Sequence, residues 1–426
     1  MMPTSAYRFF QLTVVLLVLY ALAALVAGLK FLQAEDALLT VLPYQQANGW
    51  ANSLLYLTAL TGLVGGGVHM VTRQGQGNRL ILRAVGWLWT LVVIVSVAAG
   101  ALGLLEARSG LELPMVVDAA IVVVGALVLV GCAPALRQGL AQVWAMGLAV
   151  SLVGILIGLI PAGDLQQGRG WQALSVGLTQ YTGLPMMALA LGYWLMHRFS
   201  NLTPAWLERD IYITAALVML AGVLVSLPGL SGTPDWASPL GGVMAVALPV
   251  VYLMIAARCY PALTRRNATH TLAAHWFVLG LVLYVLGIGL VGGVQMIPAV
   301  RMYTLGTRLS DLQSTLTLLA ACAVGLGVVN QGTAELRGQN RRVTGLAPFW
   351  LVAGGILGSG LALGLAGVVQ VYLERMLSVG YLDTQHLLIP LYGGWVLGLG
   401  ATALGALFYA VVYRMRRPDT AASRYQ

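Results

Sequence analysis

The chain has 426 residues, of which 59% are hydrophobic and 9% charged, and its mean hydropathy is +0.85. That balance excludes a soluble globular protein and places the chain in a bilayer. The net charge of +9, from 23 basic and 14 acidic residues, does not make a nucleic-acid surface, because the basic residues sit in short loops between apolar runs.

A single Arg8 precedes the first apolar run and no small-residue cleavage site follows it, so this run is read as an uncleaved span rather than a signal peptide. About twenty mostly apolar residues cross a hydrocarbon core roughly 30 Å thick. On that criterion the sequence predicts an all-α integral membrane bundle of twelve spans, at 9–29, 49–72, 84–105, 113–135, 140–161, 172–196, 211–228, 239–257, 273–296, 309–329, 346–371 and 388–413. The longest connections, around 30–48 and 330–345, are too short for a soluble domain, so 1–426 is read as a single polytopic membrane domain. When loops are assigned alternately, the side with both termini holds seventeen of the 23 basic residues. The other side holds Lys30, Arg108, Arg169, Arg301, Arg308 and Arg375. Both termini are therefore expected in the cytoplasm.

Few ionisable groups fall inside the spans, and each is a functional candidate because charge in lipid is costly. Asp118 lies a few residues into the fourth span, after Leu111-Glu112-Leu113-Pro114. It is read either as a hydrogen-bonded helix-start carboxylate or as a proton-path or partner residue. Asp311 opens the tenth span three residues after Arg308, on the same helical face, and a structural ion pair between them is expected. His69, His197, His270 and His275 fall at the cytoplasmic ends of spans and His386 begins the last span from outside. All five are read as interfacial polar residues, with no two placed to clasp one buried heme. Cys132, Cys259 and Cys322 are too far apart in sequence to suggest a dithiol or zinc motif.

No phosphate-binding loop, nucleophile elbow, His-Glu-x-x-His motif or intramembrane carboxylate cluster is present in the sequence. Gly354-x-x-x-Gly358, Gly360-x-x-x-Gly364 and Gly394-x-x-x-Gly398 are spacings that allow close helix contact. Pro185 and Pro249 are candidate kinks, without the paired repeat of a secondary transporter.

Several stretches resemble subunit I of the heme-copper oxidases, first the cbb(3)-type cytochrome c oxidases and second the nitric oxide reductases. They are Pro43 to Val71 with Asn52, Leu111 to Pro114, and Pro234-Asp235-Trp236-Ala237 followed by Leu240-Gly241. Gly367-Val368-Val369-Gln370 through Glu374-Arg375, then Pro390-Leu391-Tyr392 to Arg414, follow in order. The resemblance implies a twelve-helix bundle with both ends cytoplasmic, in a bacterial-type inner (plasma) membrane. It also implies heme b and copper held by six histidines.

All six ligand positions are substituted. The low-spin heme histidine of span two corresponds to Trp50, and the copper histidine of span six to about Gln180. The histidine pair ending span seven corresponds to about Ser226 and Leu227, and the His-x-His of span ten reads Asp311-Leu312-Gln313. Trp, Ser, Leu and Gln are poor or impossible ligands for heme iron or copper, so no cofactor is expected. Trp50, Trp276, Trp350 and Trp395, with Met186, Met187 and Met219, are the candidate fillers of the vacated space.

The expected role is that of a heme- and copper-free structural or accessory subunit of a membrane respiratory complex. Its expected partners are other membrane subunits, a catalytic paralogue or a membrane-anchored cytochrome c among them, with the lipid bilayer and no nucleic acid. Two alternatives stand beside it: a divergent active terminal oxidase or nitric oxide reductase subunit, and a proton or solute translocator using Asp118 and Asp311.

Overall fold

A computed structural model of the chain describes residues 4–32, 43–106, 112–135, 139–160, 165–200, 206–226, 272–304, 306–337 and 346–415, with isolated positions between 236 and 257. Among these residues every regular element is helical. In chain order they are α1 (Thr4–Leu32), α2 (Tyr44–Arg73), α3 (Arg79–Ala101), α4 (Met115–Cys132), α5 (Gly139–Gly158), α6 (Leu165–Val176), α7 (Leu184–Ser200) and α8 (Trp206–Ser226). Then come α9 (Leu272–Tyr284), α10 (Gly293–Met296), α11 (Pro298–Thr304), α12 (Arg308–Arg337), α13 (Leu346–Val371) and α14 (Tyr381–Met415).

Nine helices among the described residues are long and apolar enough to cross a membrane. A shorter apolar helix covers Asp210–Leu224, and α6 and α7 form one helical run through the expected sixth span. This is a multi-pass helical membrane bundle. The expected eighth span, 239–257, lies largely outside the described residues.

The two least hydropathic of the nine spanning helices, α2 and α12, sit at the centre, with α2 buried along its whole apolar stretch. Their sequences explain it. Ser53, Thr58, Thr61, Gly62 and Gly65 to Gly67 make α2 too polar and too narrow to face lipid, and suited to close packing against other helices. A Cβ on Gly62 would lie 3.3 Å from the Gly325 Cα of α12. The Trp144 ring of α5 fills the place a side chain on Gly67 would take, and its Nε1 donates to the Leu63 carbonyl at 3.0 Å. Trp89 of α3 donates to Thr61 Oγ1, also at 3.0 Å. The outer helices carry the lipid-facing surface, with Trp87, Leu91 and Ile94 of α3 and Leu361 and Leu365 of α13 exposed.

Three π-helical segments interrupt the ladders: Gly177–Gly183, Val285–Gly292 and Tyr372–Met376. The first ends just before Pro185. A proline has no N–H for the carbonyl four residues earlier, and the widened turn absorbs that loss.

Several expectations need correction. The tenth span continues to Arg337 rather than stopping near 329, because Asn330, Gln331, Thr333 and Glu335 find partners inside the bundle. A Cβ on Gly354 or Gly358 would meet nothing within 4 Å among the described residues. The close contact one residue on is Gly355, where a Cβ would lie 2.6 Å from the Gly398 carbonyl. Trp276, Met186 and Met187 are buried, but Trp350 (61% exposed) and Met219 (39%) face outward and fill nothing. The largest buried side chains include Trp89 and Trp144, which sequence reading did not select.

Candidate functional site

The bundle has two polar ends. The far end, where α1 finishes, is organised by Arg308. α12 begins there, and the Arg308 backbone N–H donates to Gln370 Oε1 at 3.3 Å. The Arg308 guanidinium donates to Asp311 Oδ2 at 3.2 Å and lies 5.9 Å from the Tyr392 ring. It lies 4.5 Å from the Phe31 ring, a cation–π distance. Four helices thus converge on one cation.

Beside it is a cavity of about 100 Å³, between α1, α2, α12, α13 and α14, lined by Asn48, Asn52, Arg308, Asp311, Ser314 and Thr315 among others. Asn48 and Asn52 share a face of α2 because they are four residues apart, which sends Trp50 to the other side. The Trp50 ring packs on Gly100 of α3 accordingly. Position 52, not 50, is therefore opposite Asp311. Gln313 is turned away from Asp311 toward Gly292, where a Cβ would lie 2.8 Å from its Nε2.

The near end, where α1 starts, holds a cluster that the sequence reading did not assemble. Glu335 of α12 pairs with Arg73 of α2, lies 3.7 Å from Arg198 Nε of α7 and 3.2 Å from His69 Nε2, and accepts from Gln331 Nε2 at 2.8 Å. His69 is buried against the rings of Phe10 and Trp194. The signal was present in the spacing of Gln331 and Glu335, which continues the helix by one turn.

Asp118 is buried in the first turn of α4. Just outside the span, the Glu112 carboxylate occupies the space a side chain on Gly49 would need. Its backbone N–H donates to Ser53 Oγ at 3.3 Å, and burial pushes its carboxyl up to about 7. Gln180 is buried within the π segment Gly177–Gly183, its Oε1 lacking a hydrogen-bond partner among the described residues. Ser226 ends α8, and Leu227 lies outside the described residues.

The donor set at these positions does not fit a heme iron or a copper ion. Trp50 is packed on Gly100, Asp311 is engaged by Arg308, and Gln180 and Gln313 are amides. Two spaces within the bundle are small. The far-end cavity accepts several waters, and the apolar void between α7, α9 and α12 is about 20 Å³, room for about one. Among the described residues no three His, Cys, Asp or Glu side chains are grouped to hold a metal.

These features define a multi-pass α-helical membrane protein with two separate polar ends. Its sequence is similar to that of a nitric oxide reductase subunit from Stutzerimonas stutzeri, 21% identical over 407 residues that span 88% of this chain and 86% of that protein. No protein-family model matches the chain. This relative represents the second of the two branches that the motifs resemble.

Proposed function

We propose that this chain is a heme- and copper-free relative of heme-copper oxidase subunit I that serves as a structural or accessory subunit of a membrane respiratory complex. The observation that carries the reading is the combination of similarity along most of both chains with side chains unfit for ligation at the positions matching the family's histidines. Trp50 is turned to α3 and Asp311 is held by Arg308.

Twelve spans with both ends cytoplasmic, in a bacterial inner membrane, complete the proposal, and chain direction supports the count. α8 runs from the near end, where Tyr212 meets Gln142, toward the far end. α9 starts again at the near end, since Gly280 lies against Val324 while Gly292 lies against Gln313. One further crossing between Ser226 and Leu272 satisfies both directions. The described positions at 239–241, 243, 244, 247, 250, 253, 254 and 257 are helical.

A translocator role has less support. On α12 the stretch Leu318–Val329 is apolar throughout, roughly 18 Å of helix between the two polar ends at 1.5 Å per residue.

Gentle isolation of the chain with its neighbours tests the reading. Other membrane subunits are expected to co-purify, and the isolated chain is expected to give no heme absorption band. Heme stoichiometric with this chain alone overturns the proposal.

A further inference from the structure

We propose that the far-end cavity is a binding site for a small planar monocarboxylate, of the size of formate or acetate, anchored by Arg308. The inference is independent of the structural role above and concerns only what this cavity recognises.

The charges that face the cavity decide its preference. Arg308 and Asp311 both line it, but they are not equally screened. The Arg308 side chain is 20% exposed and the Asp311 side chain 61%. Water therefore weakens the field of the carboxylate far more than that of the guanidinium, whose surroundings are the Phe31 and Tyr392 rings. The less screened of the two charges facing the cavity is the cation.

Hydrogen-bond supply points the same way. A guanidinium has five N–H donors in a planar fork, and Asp311 Oδ2 accepts from one Arg308 nitrogen at 3.2 Å. Asn48 and Asn52 add carboxamide donors and Thr315 a hydroxyl. Ser314 is already committed, donating to the Asp311 carbonyl at 3.0 Å. A planar carboxylate matches a fork of this kind with two parallel bonds, which a spherical anion does not. The volume of about 100 Å³ limits the occupant to a few non-hydrogen atoms.

The aromatic clamp makes the site stiff before anything binds. Phe31 lies 4.8 Å from the Tyr392 ring and 5.2 Å from Tyr44, so the guanidinium is held in place with little ordering left to do on binding.

Sodium formate and sodium acetate, titrated into the full chain in detergent, test the proposal through calorimetry and the thermal unfolding midpoint, with sodium chloride at equal ionic strength as the control. Saturable binding of both carboxylates is expected, with no equal effect of chloride. Arg308→Gln is expected to weaken binding at least tenfold. Arg308→Lys, which keeps the charge and loses the fork, is expected to weaken it as well and covers the case in which Arg308→Gln does not fold. Asp311→Asn removes the competing carboxylate and is expected to bind as tightly as the unaltered chain or more so. An equal response to chloride, absence of saturation, or unchanged binding in a folded Arg308 variant overturns the proposal. So does loss of binding in a folded Asp311→Asn chain.

Discussion

Glu335 of α12 reaches His69 of α2 at 3.2 Å while also pairing with Arg73, so one carboxylate ties the two central helices together at the near end. The Glu335 side chain is 9% exposed, whereas Arg73 and Arg198 are 40% and 33% exposed. The arginines reach water if their partner is lost, and the glutamate does not. Replacing Arg73 with Gln strips the buried Glu335 carboxylate of a charge partner that water cannot replace, and a cost of about 2 kcal/mol is expected. Replacing Glu335 with Gln, which removes the buried charge and leaves the arginines to water, should cost about 1 kcal/mol or less. Thermal unfolding of the two variants in the same detergent checks the order, and equal losses contradict it.

Close contact at the bundle centre predicts a sharp difference between glycines. A Cβ on Gly67 would fall within the Trp144 ring, whereas one on Gly354 meets nothing within 4 Å. Gly67→Ala should displace Trp144, disturb its bond to the Leu63 carbonyl, and cost about 2 kcal/mol. Gly354→Ala should change stability by no more than about 0.5 kcal/mol. Size-exclusion profiles and unfolding midpoints of the purified variants decide between them.

Glu112 gives a pH dependence of known sign. Its carboxyl holds its proton up to about 7 in the folded chain because it is half-buried against Gly49. The unfolded chain releases that proton in the ordinary carboxylate range, so the folded state binds more protons between the two values. The Glu112 contribution to stability is therefore most favourable below the ordinary range, declines as pH rises toward 7, and stays reduced above it. Glu112→Gln should remove this slope, measured as the unfolding midpoint against pH beside the unaltered chain. A variant with the same slope refutes the assignment.

The proposed extra crossing between Ser226 and Leu272 fixes the sidedness of two connections. A reporter fused between Ser226 and residue 239 should read as non-cytoplasmic, and one fused between residues 258 and 271 as cytoplasmic. Matching signals from both positions rule out an odd number of crossings there.

The membrane class was legible because span length and apolarity are local properties, set by the thickness of hydrocarbon. The Arg308–Asp311 contact was legible for the same reason, since residues three apart on a helix face the same way. Register across helices was not. Trp50 and Asn52 are two residues apart, and only the packing of α2 shows that Asn52 lines the cavity with Asp311 while Trp50 lies on Gly100. The roles of the tryptophans and methionines were misjudged in part because burial depends on which helix face meets lipid, and uniformly apolar helices carry little periodicity to reveal it.

By itself the amino-acid sequence determined that this protein lives in a bilayer as a bundle of apolar helices, and that no histidine stands at Trp50, Gln180 or Asp311 to Gln313, where the resemblance to heme-copper oxidase subunit I would place one. Only the tertiary structure decided that Glu335 joins His69, Arg73 and Arg198, and that Arg308 stands over a polar cavity beside Asn52. These groups lie far apart along the chain, and no local pattern encodes their meeting. It follows from how the glycine and threonine faces of α2 and α12 pack, a choice made by complementary shape between helices rather than by any one of them.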